Sequence, residues 1–127
     1  MSQAVIIDDN LKNVNVLTRL LTQEGLSVIS ISDPLKFDEI EGQLTQSSVV
    51  FVDLHMPYVN GYQILEKIKR TPNLKQLPVV AYSVHANELH EAYKQGFDGF
   101  LGKPIDSERF PGQLRQILSG EAFWDNP

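Results

Sequence analysis

Ser48-Val49-Val50-Phe51-Val52-Asp53-Leu54-His55-Met56-Pro57 is the stretch from which the fold can be read. Val49 to Val52 is an unbroken apolar run rich in β-branched residues, which predicts a short strand of a parallel sheet, buried on both faces. Asp53 follows at once, and Pro57 cannot continue the pairing. A carboxylate at the carboxyl end of a buried parallel strand stands where open α/β sheets bind their ligands. The same residue type also serves turns and helix caps. The ends of the other strands decide between these readings.

Upstream, Ala4-Val5-Ile6-Ile7 is a first strand stopped by Asp8-Asp9-Asn10. Leu11, Val14, Leu17, Leu20 and Leu21 then recur at helical spacing, with Asn10 as cap and Gly25 as stop. Ser27–Ile31 reads as the second strand, and Asp33-Pro34 opens a helix that runs to about Leu44. Downstream, a loop from Leu54 to Asn60 ends at Gly61, and Tyr62, Ile64, Leu65 and Ile68 mark a helix that stops near Thr71-Pro72. Leu77–Tyr82 is the fourth strand, and 86–95 a short polar helix closed by Gly96. Phe97, Phe100 and Leu101 mark a fifth strand running into Gly102-Lys103-Pro104, and the last helix spans about Ser107–Leu118. Alternation of five strands and five helices implies a doubly wound α/β domain with helices on both faces of a five-stranded parallel sheet. Right-handed crossovers leave strand order 2-1-3-4-5 as the expected topology. Residues 1–118 form the domain. Residues 119–127, with Phe123 and Trp124, form a tail that either folds back on the domain or contacts another protein.

Composition narrows the class. With 127 residues, 42% hydrophobic and 21% charged, the chain suits one soluble globular domain. No cysteine is present, which excludes a disulfide framework, a zinc-thiolate site and a catalytic thiol. No signal-peptide pattern and no apolar run near the ~18–20 residues of a membrane span occurs, so no membrane association and a cytoplasmic location are expected. The net charge of −5 and the lack of a basic stripe argue against direct nucleic-acid binding. Lys67, Lys69 and Arg70 gather at one helix end, where they suit its dipole.

The strand ends share one chemistry. The first delivers Asp8 and Asp9, the third Asp53, the fourth Ser83 and the fifth Lys103, and a parallel sheet places all of these on one rim. Two carboxylates about 4 Å apart repel by about 4 kcal/mol at an effective dielectric of ~20, so the acids call for a proton or a cation. Hard oxygen donors without converging histidine or thiolate favour Mg²⁺, which keeps waters and binds phosphate oxygens. A metal, a lysine and a hydroxyl match the three equatorial oxygens of a transferring phosphoryl group, with Asp53 as the nucleophile that forms an acyl phosphate.

With Asp8-Asp9, Asp53-Leu54-His55-Met56-Pro57, Gly61, Ser83 and Lys103-Pro104 in this order and spacing, the chain resembles a response-regulator receiver domain over about residues 4–118. The resemblance implies a flavodoxin-like fold and a phosphoacceptor in two-component signalling, of the single-domain chemotaxis type. Asp53 would take a phosphoryl group from a phosphohistidine on a sensor histidine kinase or phosphotransfer protein. Asp9, Asp53 and the backbone carbonyl of His55 would ligate Mg²⁺, with Asp8 acting through metal-bound water. Ser83 and Lys103 would bind phosphoryl oxygens, and Lys103-Pro104 would be cis. Phe100 occupies the place of a switch aromatic that follows the hydroxyl residue. A downstream protein would dock on the fourth helix, fifth strand and fifth helix.

Three departures from the family pattern carry expectations. Phe100 lacks a phenolic hydroxyl, so its switch would work by packing alone. Val84 stands where a very small residue is usual and would slow phosphorylation by small donors. His55 and His85 each lie two residues beyond a site residue and would tune the lifetime of the acyl phosphate across the histidine range near pH 6.5. Each taken alone has a plainer reading: solvated loop histidines, a capping Ser83, a loop Lys103, a core Phe100. Competing functions are a receiver-like adaptor that needs no phosphorylation, a flavin carrier and an aspartyl phosphohydrolase. The acidic pair after the first strand disfavours a flavin phosphate, and His55 stands where such a hydrolase keeps a second acid. The start at Met1 and the short tail favour a free-standing protein over a receiver cut from a hybrid kinase or larger regulator.

Overall fold

In a computed structural model, described here for residues 2–44 and 46–124, a parallel sheet separates two helical layers. The strands are β1 (Gln3–Ile7), β2 (Ser27–Ile31), β3 (Val49–Asp53), β4 (Val79–Ser83), β5 (Gly99–Gly102) and β6 (Phe123–Trp124). Their order is β2-β1-β3-β4-β5-β6, so the expected order holds across five strands and a sixth extends it. Phe123 pairs with Gly99 and Trp124 with Phe100, so the tail folds back onto the sheet. A two-residue strand is too short to show the alternation by which strands are recognised in sequence.

The main helices are α1 (Leu11–Gln23), α3 (Gly61–Arg70), α4 (Leu89–Gln95) and α5 (Phe110–Leu118). Asn10 caps α1 by accepting from the N–H groups of Lys12 and Asn13 at 3.0 and 3.2 Å. Asn60 and Gln63 form a reciprocal capping box on α3. The expected second helix is instead a single α turn, α2 (Phe37–Ile40), between the 3₁₀ turns Pro34–Lys36 and Glu41–Leu44. Phe37 and Leu44 anchor it in the core while Leu35 is exposed, and the interior Gly42 is a poor helix former. The last helix begins at Phe110 rather than Ser107 because Pro111 has no N–H to bond the carbonyl of residue 107. Asp106 caps the preceding turn, accepting from Glu108 N at 3.0 Å.

Alternation along each strand sorts the core into two halves. Ala4, Ile6, Val49, Phe51, Val80 and Leu101 face α1 and α5, packing on Leu17, Leu21, Phe110 and Leu114. Val5, Ile7, Val50, Val52, Ala81 and Phe100 face the opposite layer, with Phe37, Ile64, Ile68 and Ala92. Leu11, at helical spacing with the buried face of α1 but the first residue of that helix, is 66% exposed.

Candidate functional site

The two-residue period continues past the strands and decides which side chains meet. Asp8 extends the Ala4–Ile6 side, Asp53 the Val49–Phe51 side, and Lys103 the Leu101 side, so all three lean toward α1 and α5. Tyr82 follows Val80 on the same side. Ser83 and Phe100 have the other parity.

Asp8 is fully buried. Its Oδ1 accepts from Asn10 N at 2.9 Å, and its Oδ2 accepts from the Tyr82 hydroxyl. The Lys103 ammonium lies 3.3 Å from Asp53 Oδ1, 3.7 Å from Asp8 Oδ2, and 4.3 Å from the centroid of the Tyr82 ring. Asp53 Oδ1 also accepts from His55 N at 3.2 Å. Burial first, and then the neighbouring Asp8 carboxylate, raise the Asp53 pKa to about 6 against the opposing pull of Lys103 and the His55 N–H. Burial and the Asp8 carboxylate also push the Tyr82 phenol well above its ordinary range, so it stays a donor.

One oxygen from each of Asp8, Asp9 and Asp53 lies within 4.8 Å of the others. These are hard oxygen donors of net negative charge, a set that fits Mg²⁺. Asp9 is exposed and lines the cleft, whereas both Asp8 oxygens already have protein partners. Asp9, Asp53, His55, Ser83, Val84, His85 and Lys103 share one cleft of about 410 Å³ with Asn10 and Asn13.

Local structure aims Asp53 into this cleft. The chain after β3 folds back so tightly that Gly61 N donates to Leu54 O at 3.2 Å. A Cβ on Gly61 would sit 2.8 Å from the Asp53 carbonyl oxygen and 2.9 Å from Leu54 Cα, so only glycine fits without a shift. On the far wall, Ser83 is buried and its Oγ accepts from His85 N at 3.0 Å, the turn-capping role open to it from sequence. The peptide bond Lys103-Pro104 is cis, and Lys103 N donates to Ser83 O at 2.9 Å, joining the ends of β4 and β5.

Val84 stands at the mouth of the cleft, 65% exposed. His55 and His85 are exposed, as in their plainer reading, yet their rings meet edge to face at 5.0 Å and His55 pairs with Glu88. Phe100 is fully buried on the opposite side of the sheet and does not line the cleft. Two contributors escaped the sequence reading. Tyr82 was open to discovery by the strand alternation that pairs it with Asp8. Glu88 carries no local signal for a partner 33 residues away.

A profile of the family described as response regulator receiver domain matches residues 4–115. Protein RcaC of Microchaete diplosiphon is 26% identical over 127 residues, which covers 98% of this chain and 19% of RcaC. The two-component response regulator ORR7 of Oryza sativa subsp. japonica is 32% identical over 115 residues, covering 89% of this chain and 53% of ORR7. The chain therefore spans from a fifth to about half the length of these two relatives. Among solved structures, the chemotaxis protein CheY4 of Vibrio cholerae superposes with a TM-score of 0.79 at 19% identity, over 92% of this chain and 98% of that one. A response regulator from Desulfuromonas acetoxidans superposes at 0.81 with 21% identity, over 94% and 98%. Both share the fold. With its family profile covering nearly the whole fold and the acids gathered at the rim of the sheet, this chain belongs to the response-regulator receiver domains.

Proposed function

We propose that the chain is a phosphorylatable switch whose acceptor is Asp53, taking its phosphoryl group from a phosphohistidine on a sensor histidine kinase or phosphotransfer protein. The observation that carries this reading is the position of Asp53, which faces a lysine at 3.3 Å in an open cleft and has oxygens of the buried Asp8 and the exposed Asp9 within 4.8 Å. A carboxylate oxygen of Asp53 attacks phosphorus, the P–N bond breaks, and the imidazole leaves with the electron pair and takes up a proton. Hydrolysis of the acyl phosphate returns the carboxylate and inorganic phosphate.

Asp9, Asp53 and the His55 carbonyl would hold Mg²⁺, with Asp8 acting through a water because both its oxygens are engaged. When bound, Mg²⁺ neutralises charge on the phosphoryl oxygens and favours in-line transfer. Lys103 orients Asp53 before transfer and pairs with a phosphoryl oxygen after it. Because Ser83 Oγ accepts from His85 N, its proton is available to donate to another phosphoryl oxygen. Movement of Ser83 would leave space that Phe100, on the same side of the sheet, fills by repacking. That would change the face formed by α4, β5 and α5, where a downstream protein docks.

No helix among the described residues is long and apolar enough to cross a membrane. We place the chain in the cytoplasm, acting on proteins and not directly on nucleic acid.

The test is mass spectrometry after incubation with Mg²⁺ and acetyl phosphate. A single phosphoryl adduct on Asp53, lost in Asp53→Asn and in chelator, is expected. No adduct at Asp53 under excess donor and metal would reject the reading and leave the phosphorylation-independent adaptor.

A further inference from the structure

We propose that the outer edge of β5, between α4 and α5, is a docking groove for an extended partner segment bearing adjacent aromatic residues, and that Glu121–Trp124 plugs it from within the same chain. This deepens the proposed function by naming what its output face recognises, but the docking itself requires no phosphate.

The groove is shaped for backbone. Gly99 lies opposite Phe123, and a Cβ at position 99 would sit 2.9 Å from the Phe123 carbonyl oxygen. The strand straddles the sheet, with Phe123 packing on the α1–α5 half of the core and Trp124 on the other half. The indole meets the ring of Tyr93 on α4 edge to face at 5.3 Å, and Tyr93 remains 61% exposed with the indole in place. Adjacent aromatics in an extended segment thus find a place on each side of β5, which is how strand addition obtains affinity from the main chain and selectivity from side chains.

The plug is lightly held. Its pairing is two residues long, where strands usually run to about 5–6. Behind it the chain is tied to α5 by Glu121 N to Gln116 O at 3.1 Å and Gln116 Nε2 to Ala122 O at 2.7 Å. Between these ties and the sheet lies a cleft of about 210 Å³ walled by Gln76, Pro78, Asp98 and Ile117. A segment of this kind sits at the low end of local stability, open to exchange with a competitor.

The test uses no Mg²⁺ and no phosphodonor, so failure of Asp53 to be phosphorylated would leave its result standing. The probe is a capped peptide, Ser-Gly-Glu-Ala-Phe-Trp, with the sequence of residues 119–124. Added to the folded Phe123→Ser/Trp124→Ser variant, it is expected to shift the amide resonances of Gly99, Phe100 and Tyr93, with a blue shift of its own indole emission. Wild type should require about tenfold more peptide or beyond, because the tethered plug competes at a millimolar effective concentration. Absence of a response in the variant, or an equal response in wild type, overturns the proposal. In the otherwise unchanged chain, Gly99→Ala should expel the plug, and Trp124, the single tryptophan, should become red-shifted and more readily quenched by iodide. Unchanged Trp124 emission and quenching in that variant overturns it as well. A wild-type dimer that falls apart on Gly99→Ala would show the plug to be a second copy's and overturn the intramolecular form.

Discussion

The ammonium of Lys103 stands 3.3 Å from Oδ1 of Asp53, and still the Asp53 pKa is raised to about 6. Burial and the Asp8 carboxylate outweigh the lysine. The folded chain therefore binds a proton on Asp53 more tightly than the unfolded chain does. Between pH 3.8 and about 6 the folded state holds more protons, so this group's contribution to stability falls as pH rises through that window. Above it the cost is fully in place, on the order of 1–3 kcal/mol. Asp53→Asn should raise the urea midpoint of the metal-free protein near neutral pH and change it little near pH 4. Mg²⁺ should stabilise wild type at neutral pH more than it stabilises the variant. Equal midpoints at neutral pH would show that Asp53 carries no such burden.

Tyr82 and Asp8 make a second test. Tyr82→Phe keeps the ring beneath Lys103 but removes the donor to a fully buried carboxylate oxygen. Leaving that acceptor unsatisfied should cost about 1–3 kcal/mol in equilibrium unfolding. It should also weaken Mg²⁺ binding, measured by calorimetry, as the Asp8 carboxylate loses one of the two bonds that fix its orientation. Unaltered stability would mean that solvent or Lys103 takes over the bond.

Gly61→Ala probes the loop that aims Asp53. With the new Cβ 2.8 Å from the Asp53 carbonyl oxygen, backbone has to move. A loss of about 1–3 kcal/mol is expected, together with slower labelling of Asp53 by acetyl phosphate. A variant that matches wild type in both measurements would show that the turn yields freely.

Val84→Ala tests access to the cleft. Val84 is exposed at its mouth, so removing two methyl groups should raise the acetyl phosphate rate severalfold with little change in stability, since exposed substitutions usually lie within about 0.5 kcal/mol of neutral. An unchanged rate would mean that the side chain does not gate small donors.

Much of this protein is written in local pattern. Apolar runs and helical periods specify β1 to β5 and the main helices, and the residues ending β1, β3, β4 and β5 specify which chemistry reaches the rim. Even the side of the sheet taken by Asp8, Asp53 and Lys103 follows from counting by two along each strand. Pattern weakens where segments are short or signals compete, as in the broken turns of residues 34–44 and the delayed start of α5 at Pro111.

Only tertiary structure decides the pairings between distant residues. The hydroxyl of Tyr82 reaches Asp8 across 74 residues, and Glu88 reaches His55 across 33. Phe123 and Trp124 become a strand because Gly99 leaves room for their backbone and Tyr93 meets the indole. A period needs several residues of one segment to declare itself. A contact between two elements depends instead on strand order, register and crossing of helices, which the whole packed chain determines together.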